Sequence, residues 1–323
     1  MTSHMSAVQS EIGASEARHW SELISREEID ELLRRSDGQA WLIVLTNWAL
    51  VLAAMAMVAI WPNPLTVIVA LFAIGARQLG CAVIMHDASH RALFSSRRLN
   101  DWVGSWLAAY PVWSDLHTYR PYHLKHHAKT WTEEDPDLRL ATAFPVTGAS
   151  LRRKIWRDLS GQTGIKFARF SAKRDFGEGP WRERIRRALG SERFRGMLIT
   201  NAALLGLLSA FGQPALYLLW VGAYLTTNTL VTRIRAIAEH SMVPDPADEL
   251  RNTRTTLVSW WERCFLAPNF VNYHLEHHLL MTVPPYNLPK LHRLLRERGV
   301  LEHALVDRGY LGVLRRASSL AAA

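Results

Sequence analysis

Two long stretches without charged side chains constrain the fold of this chain more than any other feature. Residues 38–76 and residues 196–232 contain no Asp, Glu, Lys or Arg. A bilayer core requires about 20 apolar residues per helix, so each stretch is close to the length of two spans. Two buried helical hairpins in a water-soluble protein are the less favoured interpretation, because that protein would have to contain two charge-free runs of this length.

Turn-forming residues divide each stretch near its middle, WPNP at 61–64 and GQP at 212–214. Helices do not readily continue through such residues. The sequence therefore predicts two transmembrane hairpins. Their four helices are expected at residues 41–60, 65–84, 197–211 and 215–237.

The positions of the basic residues predict the orientation. Every Lys and Arg lies outside the two charge-free stretches, and basic residues favour the cytoplasmic side. We therefore expect an all-α integral membrane protein whose two hairpins carry a cytosolic helical cap, with both termini cytoplasmic. The predicted segments are a cytosolic N-terminal segment (1–37), the first hairpin (38–76), a first cap segment with a basic insert (77–195), the second hairpin (196–237) and a second cap segment with the C-terminal tail (238–323).

Composition fits this arrangement. The chain has 13 Trp, a residue that accumulates at membrane interfaces, and the Trp-rich segment 101–113 is expected to lie there. Its two cysteines indicate a reducing environment, and no cleavable signal peptide is expected in its polar first forty residues. Residues 151–196 carry 14 basic and 5 acidic residues, which suits anionic headgroups, an acidic electron carrier or a solvated helix face. Nucleic acid is not expected, because no nucleic-acid-binding motif accompanies the charge.

Histidines are grouped in a pattern that indicates metal binding. Residues three and four apart share a helix face, so H-x-x-x-H and H-x-x-H-H direct their rings into one volume. Neutral imidazole is the commonest metal ligand, and nine rings on one membrane side suit two ions with four or five nitrogens each. Ordinary surface or capping histidines would explain one such motif, but not the set. The candidate ligands are His86 and His90 in HDASH, His123, His126 and His127 in HLKHH, His240 in AEH, and His274, His277 and His278 in HLEHH.

The ligand type favours iron over zinc. Structural zinc usually takes four ligands, often with Cys, and needs no second ion. Imidazole equally suits iron, copper and nickel. Coordination by neutral rings also separates this pattern from the carboxylate-rich di-iron sites of helical bundles.

The three histidine motifs and their order resemble those of the membrane fatty acid desaturase and hydroxylase superfamily. RIRAIAEH before the last motif and HHLLMTVPPYNLPKLH from its end onward extend the resemblance over about residues 41–295. It implies a di-iron centre beneath a cytosolic cap on four transmembrane helices, with the nine histidines as ligands. Two features depart from the acyl-CoA enzymes of this superfamily. Ala236 stands where they have Asn, and the first motif is the shorter H-x-x-x-H.

The expected function is O₂-dependent introduction of a double bond into a fatty acyl or lipid chain by two Fe²⁺ ions. A hydroxylase, or a fatty acid decarboxylase that forms terminal alkenes, is the alternative on the same scaffold. A non-catalytic membrane metal-binding or receptor protein is less favoured. No cytochrome b5 domain is recognisable in the sequence, so the expected partners are membrane lipids, the lipid substrate and a separate electron donor of the ferredoxin, rubredoxin or cytochrome b5 type.

Polar residues beside the motifs are candidates for orienting the ligands, because metal-bound imidazoles usually donate their other N–H to a carboxylate or carbonyl. Arg77 and Gln78 interrupt the second predicted span, where Arg77 would either bind a substrate carboxylate or headgroup or, as we favour, extend to the interface. His117, His292 and His303 lack a second imidazole at helical spacing and are expected to be structural. The orienting candidates are Asp87, Asp135, Asp137, Glu239, Asn272 and Glu276.

Overall fold

The structure is a computed structural model, and it describes residues 19–321. Part of the predicted N-terminal segment and the last two residues of the predicted tail lie outside the described residues. The described chain is mostly helical. Its α-helices are α1 (Arg26–Leu32), α2 (Asp37–Ile60), α3 (Pro64–Ser89), α4 (Arg97–Val103), α5 (Leu116–Lys129), α6 (Leu138–Ala141), α7 (Gly148–Leu159), α8 (Gln162–Phe176), α9 (Trp181–Gly190), α10 (Glu192–Ala210), α11 (Tyr217–Leu225), α12 (Thr227–His240), α13 (Trp260–Phe265), α14 (His274–Leu279), α15 (Leu288–Glu297) and α16 (Tyr310–Ala317).

Shorter elements connect these helices. Two strands that the sequence did not predict, β1 (Thr255–Leu257) and β2 (Val306–Arg308), pair in parallel. A π-helix covers Gly104–Ala109. Six 3₁₀ turns cover Trp20–Leu23, Tyr110–Val112, Pro214–Leu216, Pro268–Phe270, Pro285–Asn287 and Val300–Glu302.

Helices α2 and α3 form the first predicted hairpin. The turn between them is fixed by Asn63, whose Oδ1 accepts from the backbone N–H groups of Leu65 and Thr66, while Pro64 occupies the first helical position. In the part of the chain that the structure describes, these two helices are long and apolar enough to cross a membrane. Helix α3 continues to Ser89, five residues beyond the predicted span, and so carries the first histidine motif out of that span.

The second predicted hairpin differs from its prediction in one respect. Residues 215–237 do not form a single helix, because α11 ends at Leu225 and α12 begins at Thr227. Thr226 between them has φ −121° and ψ −86°, outside the helical region. Its hydroxyl donates to the Gly222 carbonyl, and that of Thr227 donates to the Leu71 carbonyl of α3. At the break, threonine hydroxyls therefore donate to backbone carbonyls of α11 and α3.

Two segments around the hairpins have contrasting surfaces. Residues 104–112 are largely buried, with Ala108, Ala109 and Tyr110 at most 1 % exposed, so most of this segment packs against other parts of the protein. Helices α7 to α9 of the basic insert instead expose large apolar side chains, including Trp156 and Phe170.

Candidate metal centre

Four parts of the fold bring the histidine motifs together. Helix α3 carries His86 in its last turn and ends at His90, and α5 carries the second motif. Helix α12 ends on His240, and α14 carries the third motif. Because α3 packs against both α5 and α12, the C-terminal parts of these helices meet in one place.

Five histidines form the first group. One ring nitrogen from each lies within 4.8 Å of those of the others. The Nε2 atom of His127 lies 3.1 Å from that of His123 and 3.0 Å from that of His277. The members are His86, His90, His123, His127 and His277.

The other four histidines form the second group, which has His240 at its centre. The Nε2 atom of His240 lies 3.1 Å from that of His126 and 2.8 Å from that of His274. His126, His240 and His278 offer nitrogens within 4.8 Å of one another, and Glu239 and His274 do the same with His240. The nine rings thus divide into groups of five and four.

The chemistry of these rings fits bound cations. Both ring nitrogens of His90, Nε2 of His86 and Nε2 of His278 are buried without a hydrogen-bond partner in the described residues. Buried polar atoms are nearly always satisfied, so such a concentration of unpartnered nitrogens is typical of a ligand-binding site. A metal ion accepts lone pairs from several donors placed around it, and the converging ring nitrogens of each group offer such a set.

Burial also keeps several of these rings neutral. It lowers the pKa of His90 to about 3 and that of His127 to about 2, with smaller contributions from neighbouring cations and histidines. Burial likewise holds the pKa values of His274, His277 and His278 well below the ordinary 6.5. A neutral ring keeps the lone pair that a metal requires.

Carboxylates hold the other side of several rings. Nδ1 of His86 donates to Asp87 at 2.9 Å, and Nδ1 of His126 donates to Asp135 at 2.8 Å. Asp137 lies farther from His126, at 3.9 Å, and accepts a 2.5 Å hydrogen bond from the Tyr122 hydroxyl. Such contacts fix the tautomer and direct Nε2 towards the group centre.

Glu239 lies beside the second group, at a longer distance from its nearest ring than Asp87 and Asp135 are from theirs. Its Oε1 lies 3.6 Å from Nδ1 of His274 and also pairs with Arg235, four residues earlier on α12. Burial raises the pKa of Glu239 to about 8, against the lowering effect of Arg235.

Glu276 and Asn272 do not contact the rings of the cluster. Glu276 accepts from Nδ1 of His292 at 2.5 Å and from the Thr255 hydroxyl, whereas Asn272 donates to the Thr256 carbonyl at 3.0 Å. Glu276 therefore joins α14 to β1 and α15, whereas Asn272 joins the residues just before α14 to β1.

The remaining histidines and polar residues of the sequence analysis are also placed. His292 has a structural contact, as expected, and His117 and His303 are exposed. Arg77 does not extend to an interface, because it is 5 % exposed and donates to the Cys264 carbonyl at 2.8 Å. Gln78 likewise donates to the Trp220 carbonyl at 2.8 Å. A backbone carbonyl thus accepts a hydrogen bond from each of these two residues, while Oε1 of Gln78 is buried without a partner among the described residues.

Sequence reasoning missed Arg254, which fixes the end of α12. Its backbone N–H donates to the Glu239 carbonyl at 2.9 Å, and its guanidinium donates to the carbonyls of Ala238 and Ser241 at 2.9 and 3.0 Å. Cations favour helix C-termini, but the separation of 14 residues from His240 left no signal in the sequence. This contact positions His240 at the centre of the second group.

Comparison with known proteins agrees with this geometry. The family model described as fatty acid desaturase matches residues 62–309. The dihydrorhizobitoxine desaturase of Bradyrhizobium elkanii is 28 % identical over 275 residues, covering 81 % of this chain and 76 % of that protein. The sn-1 oleoyl-lipid 12-desaturases of Picosynechococcus sp. and Arthrospira platensis are 27 % and 26 % identical, covering 80 % and 77 % of this chain and 77 % and 74 % of their own. Because the family match spans most of the chain and every histidine of the cluster, the chain belongs to the fatty acid desaturase family and is an oxidoreductase.

Proposed function

We propose that this protein is an O₂-dependent desaturase that uses two Fe²⁺ ions to introduce a double bond into a fatty acyl or lipid chain. The observation that supports it most directly is the division of nine histidines into groups of five and four, in a chain of the fatty acid desaturase family. One ion would be held by His86, His90, His123, His127 and His277, and the other by His126, His240, His274 and His278.

The side chains of this protein have defined tasks in that reaction. When bound, the iron pair would supply the activation of O₂ that removal of hydrogen from an unactivated methylene requires. Asp87 and Asp135 hold ligand rings in place through hydrogen bonds, and Glu239 lies beside the ring of His274. Burial of the cluster excludes bulk water, which limits side reactions.

The electron balance requires a protein partner. Loss of two hydrogens from adjacent carbons releases two electrons, whereas reduction of O₂ to two waters consumes four. The other two electrons would come from a separate donor of the ferredoxin, rubredoxin or cytochrome b5 type.

Similar proteins support an acyl substrate without fixing its form. Two of the relatives named above are desaturases of an sn-1 oleoyl lipid, and another is a desaturase of dihydrorhizobitoxine. Helix α2 exposes Leu42 and Leu45 by 62 % and 60 %, which suits contact with lipid. We therefore favour a membrane-borne acyl chain.

We propose a four-span topology with the metal centre on the cytoplasmic side. Helices α2 and α3 would form one hairpin, and α10 with α11 the other, continued by α12 into the cap. Phe211 and Leu218 near the second turn are 75 % and 71 % exposed, which supports lipid contact at this turn. Labelling with a membrane-impermeant maleimide tests the topology. In intact cells it should label Asn63→Cys and Gln213→Cys but not the exposed native Cys264, which should react only after permeabilisation.

Product analysis tests the activity. Purified protein loaded with Fe²⁺ would be supplied with ferredoxin, ferredoxin reductase, NADPH, O₂ and oleoyl substrates, with a His240→Ala variant as the control. We expect products that have lost two hydrogen atoms, formed only with O₂ and not by the variant. Products that have gained an oxygen atom would instead identify a hydroxylase, and terminal alkenes a decarboxylase. The absence of any O₂-dependent product from all lipids tested would refute the proposed function.

A further inference from the structure

A cavity of about 340 Å³ lies between α12, helices α7 and α8, and the chain after α6. This volume is within the range of small-molecule sites, about 300–1,000 Å³. By contrast, the cavity against His86 and His277 holds only about 10 Å³, no more than a water molecule requires. A bound organic substrate therefore fits the larger space and not the smaller one.

Two walls of the larger cavity are formed by segments that also carry residues of the candidate metal centre. Ala236 lines it and stands four residues before His240, on the same face of α12. Leu140 and Phe144 line it from the segment after Asp137, which lies 3.9 Å from His126. The cavity thus lies beside elements that carry residues of the second histidine group.

The two cations that line this cavity differ in their partners. Arg233 donates from Nε and Nη2 to both carboxylate oxygens of Asp158, at 2.5 and 2.9 Å, which compensates its charge. Lys154 has no carboxylate within 4.0 Å among residues 19–321, and its Nζ lies 5.8 Å from the centre of the Phe144 ring. Among the described residues that line this largely apolar cavity, Lys154 is therefore the cation that has no carboxylate partner.

Neutral donors accompany this cation. Thr163, Thr232 and Asn228, whose side chains carry hydrogen-bond donors, also line the cavity. An anionic group requires several hydrogen bonds when it leaves water, and a lysine with hydroxyl and amide donors can supply them. Aromatic and aliphatic walls, among them Phe144 and Phe167, suit the alkyl part of the same molecule.

We propose that this cavity receives the anionic end of the substrate, a carboxylate or phosphate attached to an alkyl chain, and that Lys154 is the residue that binds its charge. The proposal rests on the proposed function and specifies its substrate class. Lys154 is thus a specificity-determining residue, and neutral esters bind without its help.

Equilibrium binding tests the proposal independently of turnover. Displacement of a fluorescent polyene fatty acid would give the affinity of the purified full-length protein for oleic acid, methyl oleate and a phosphatidylglycerol with one oleoyl chain. Lys154→Met should weaken oleic acid or phosphatidylglycerol binding by about tenfold, the loss expected for one charge-assisted contact. Lys154→Arg should retain most of the affinity, and methyl oleate should bind all variants alike. The ligand that responds to Lys154→Met identifies a carboxylate or a phosphate.

Lys166→Met is the matched control, because Lys166 is an exposed lysine of the same insert that does not line the cavity. Equal losses in the two Met variants, or an equal loss for methyl oleate, would overturn the proposal. Steady-state kinetics then separate this result from the proposed function. If desaturation does not depend on Lys154, only the proposed role of Lys154 in binding the anionic group is wrong. If binding depends on Lys154 but no desaturated product forms, only the proposed desaturase activity is wrong.

Discussion

The imidazole of His126 and the carboxylate of Asp135 form a buried pair, with Nδ1 2.8 Å from Oδ1 and each side chain 3 % exposed. Asp135 is itself held by the backbone N–H groups of Trp131 and Asp137, at 3.0 and 2.9 Å. The loop after α5 therefore fixes the ring of a residue on that helix. With Nδ1 occupied, Nε2 of His126 faces Nε2 of His240 at 3.1 Å.

Asp135→Asn should weaken metal binding at the second histidine group. An amide oxygen carries no charge and accepts less strongly, and loss of such an outer partner typically costs about 10- to 100-fold in metal affinity. We expect the variant to retain about one iron of two after dialysis against a chelator that leaves the parent protein loaded. Elemental analysis per mole of protein provides the measurement.

Glu134→Gln provides the control for this variant. Glu134 is an exposed neighbour whose carboxylate pairs with Lys129 at 3.1 Å on the surface. It should keep the parent metal content. Full retention of iron by Asp135→Asn under the same dialysis would contradict the role assigned to the pair.

The metal-free protein should lose stability as the pH falls below about 6.5. Burial lowers the pKa of His127 to about 2 and that of His90 to about 3, from an ordinary 6.5. Between these pKa values and 6.5 the unfolded chain binds protons that the folded chain does not. The free energy of unfolding therefore decreases as the pH decreases. Thermal unfolding of the chelator-treated protein should give a Tm that decreases from about pH 7 to about pH 5.

His117→Gln and His303→Gln are matched controls, since both side chains are exposed. They should leave the pH dependence of Tm unchanged. A metal-free protein whose Tm does not change over this range would show that the buried rings gain protons without cost.

Helical spacing predicts much of the candidate centre. His123 and His127 are four residues apart and belong to the first group, and His274 and His278 are four apart and share the second. The middle histidine of each H-x-x-H-H motif, His126 or His277, belongs to the other group. That division depends on how α3, α5, α12 and α14 pack, which is a long-range property that spacing does not contain.

Other features lie beyond sequence reasoning for the same reason. The contact between Arg77 and the Cys264 carbonyl joins residues 187 positions apart. At the break at Thr226, the hydroxyl of the neighbouring Thr227 donates to a backbone carbonyl of α3. The composition of this stretch instead predicts one continuous apolar helix. Hydrophobic periodicity reports burial and length, but not which backbone groups find partners elsewhere.

Glu276→Ala should destabilise the protein and also reduce its metal content. Glu276 is 0 % exposed and accepts from His292 Nδ1 and from the Thr255 hydroxyl. Removal of one partner of a buried pair leaves the other uncompensated, at a cost of about 3 kcal/mol. Because α14 carries three histidines of the cluster, a lower Tm should be accompanied by loss of iron.

Glu297→Ala on the neighbouring α15 is the control, because its side chain is exposed. A double-mutant cycle with His292→Ala separates the pair from general damage. If the effects of Glu276→Ala and His292→Ala on the free energy of unfolding add without coupling, the two residues do not stabilise α14 together.

Gly75 allows α3 and α12 to approach each other closely. A Cβ atom at this position would lie 2.8 Å from the backbone nitrogen of Asn228 and would overlap the side chain of Thr227. The same approach permits the hydrogen bond from Thr227 Oγ1 to the Leu71 carbonyl, at 2.5 Å. Small residues at helix crossings serve this purpose in membranes.

Gly75→Ala should therefore displace α12, lower stability by about 2 kcal/mol and weaken the second metal site, since α12 ends on His240. Gly206→Ala tests whether the effect depends on close packing, because nothing lies within 4 Å of a Cβ atom at that position of α10. Alanine is the better helix former, so this control should be neutral or slightly stabilising. Detergent-solubilised protein would be compared by Tm and iron content. Equal behaviour of the two variants would mean that α12 shifts without cost, and that the close crossing with α3 does not set the position of His240.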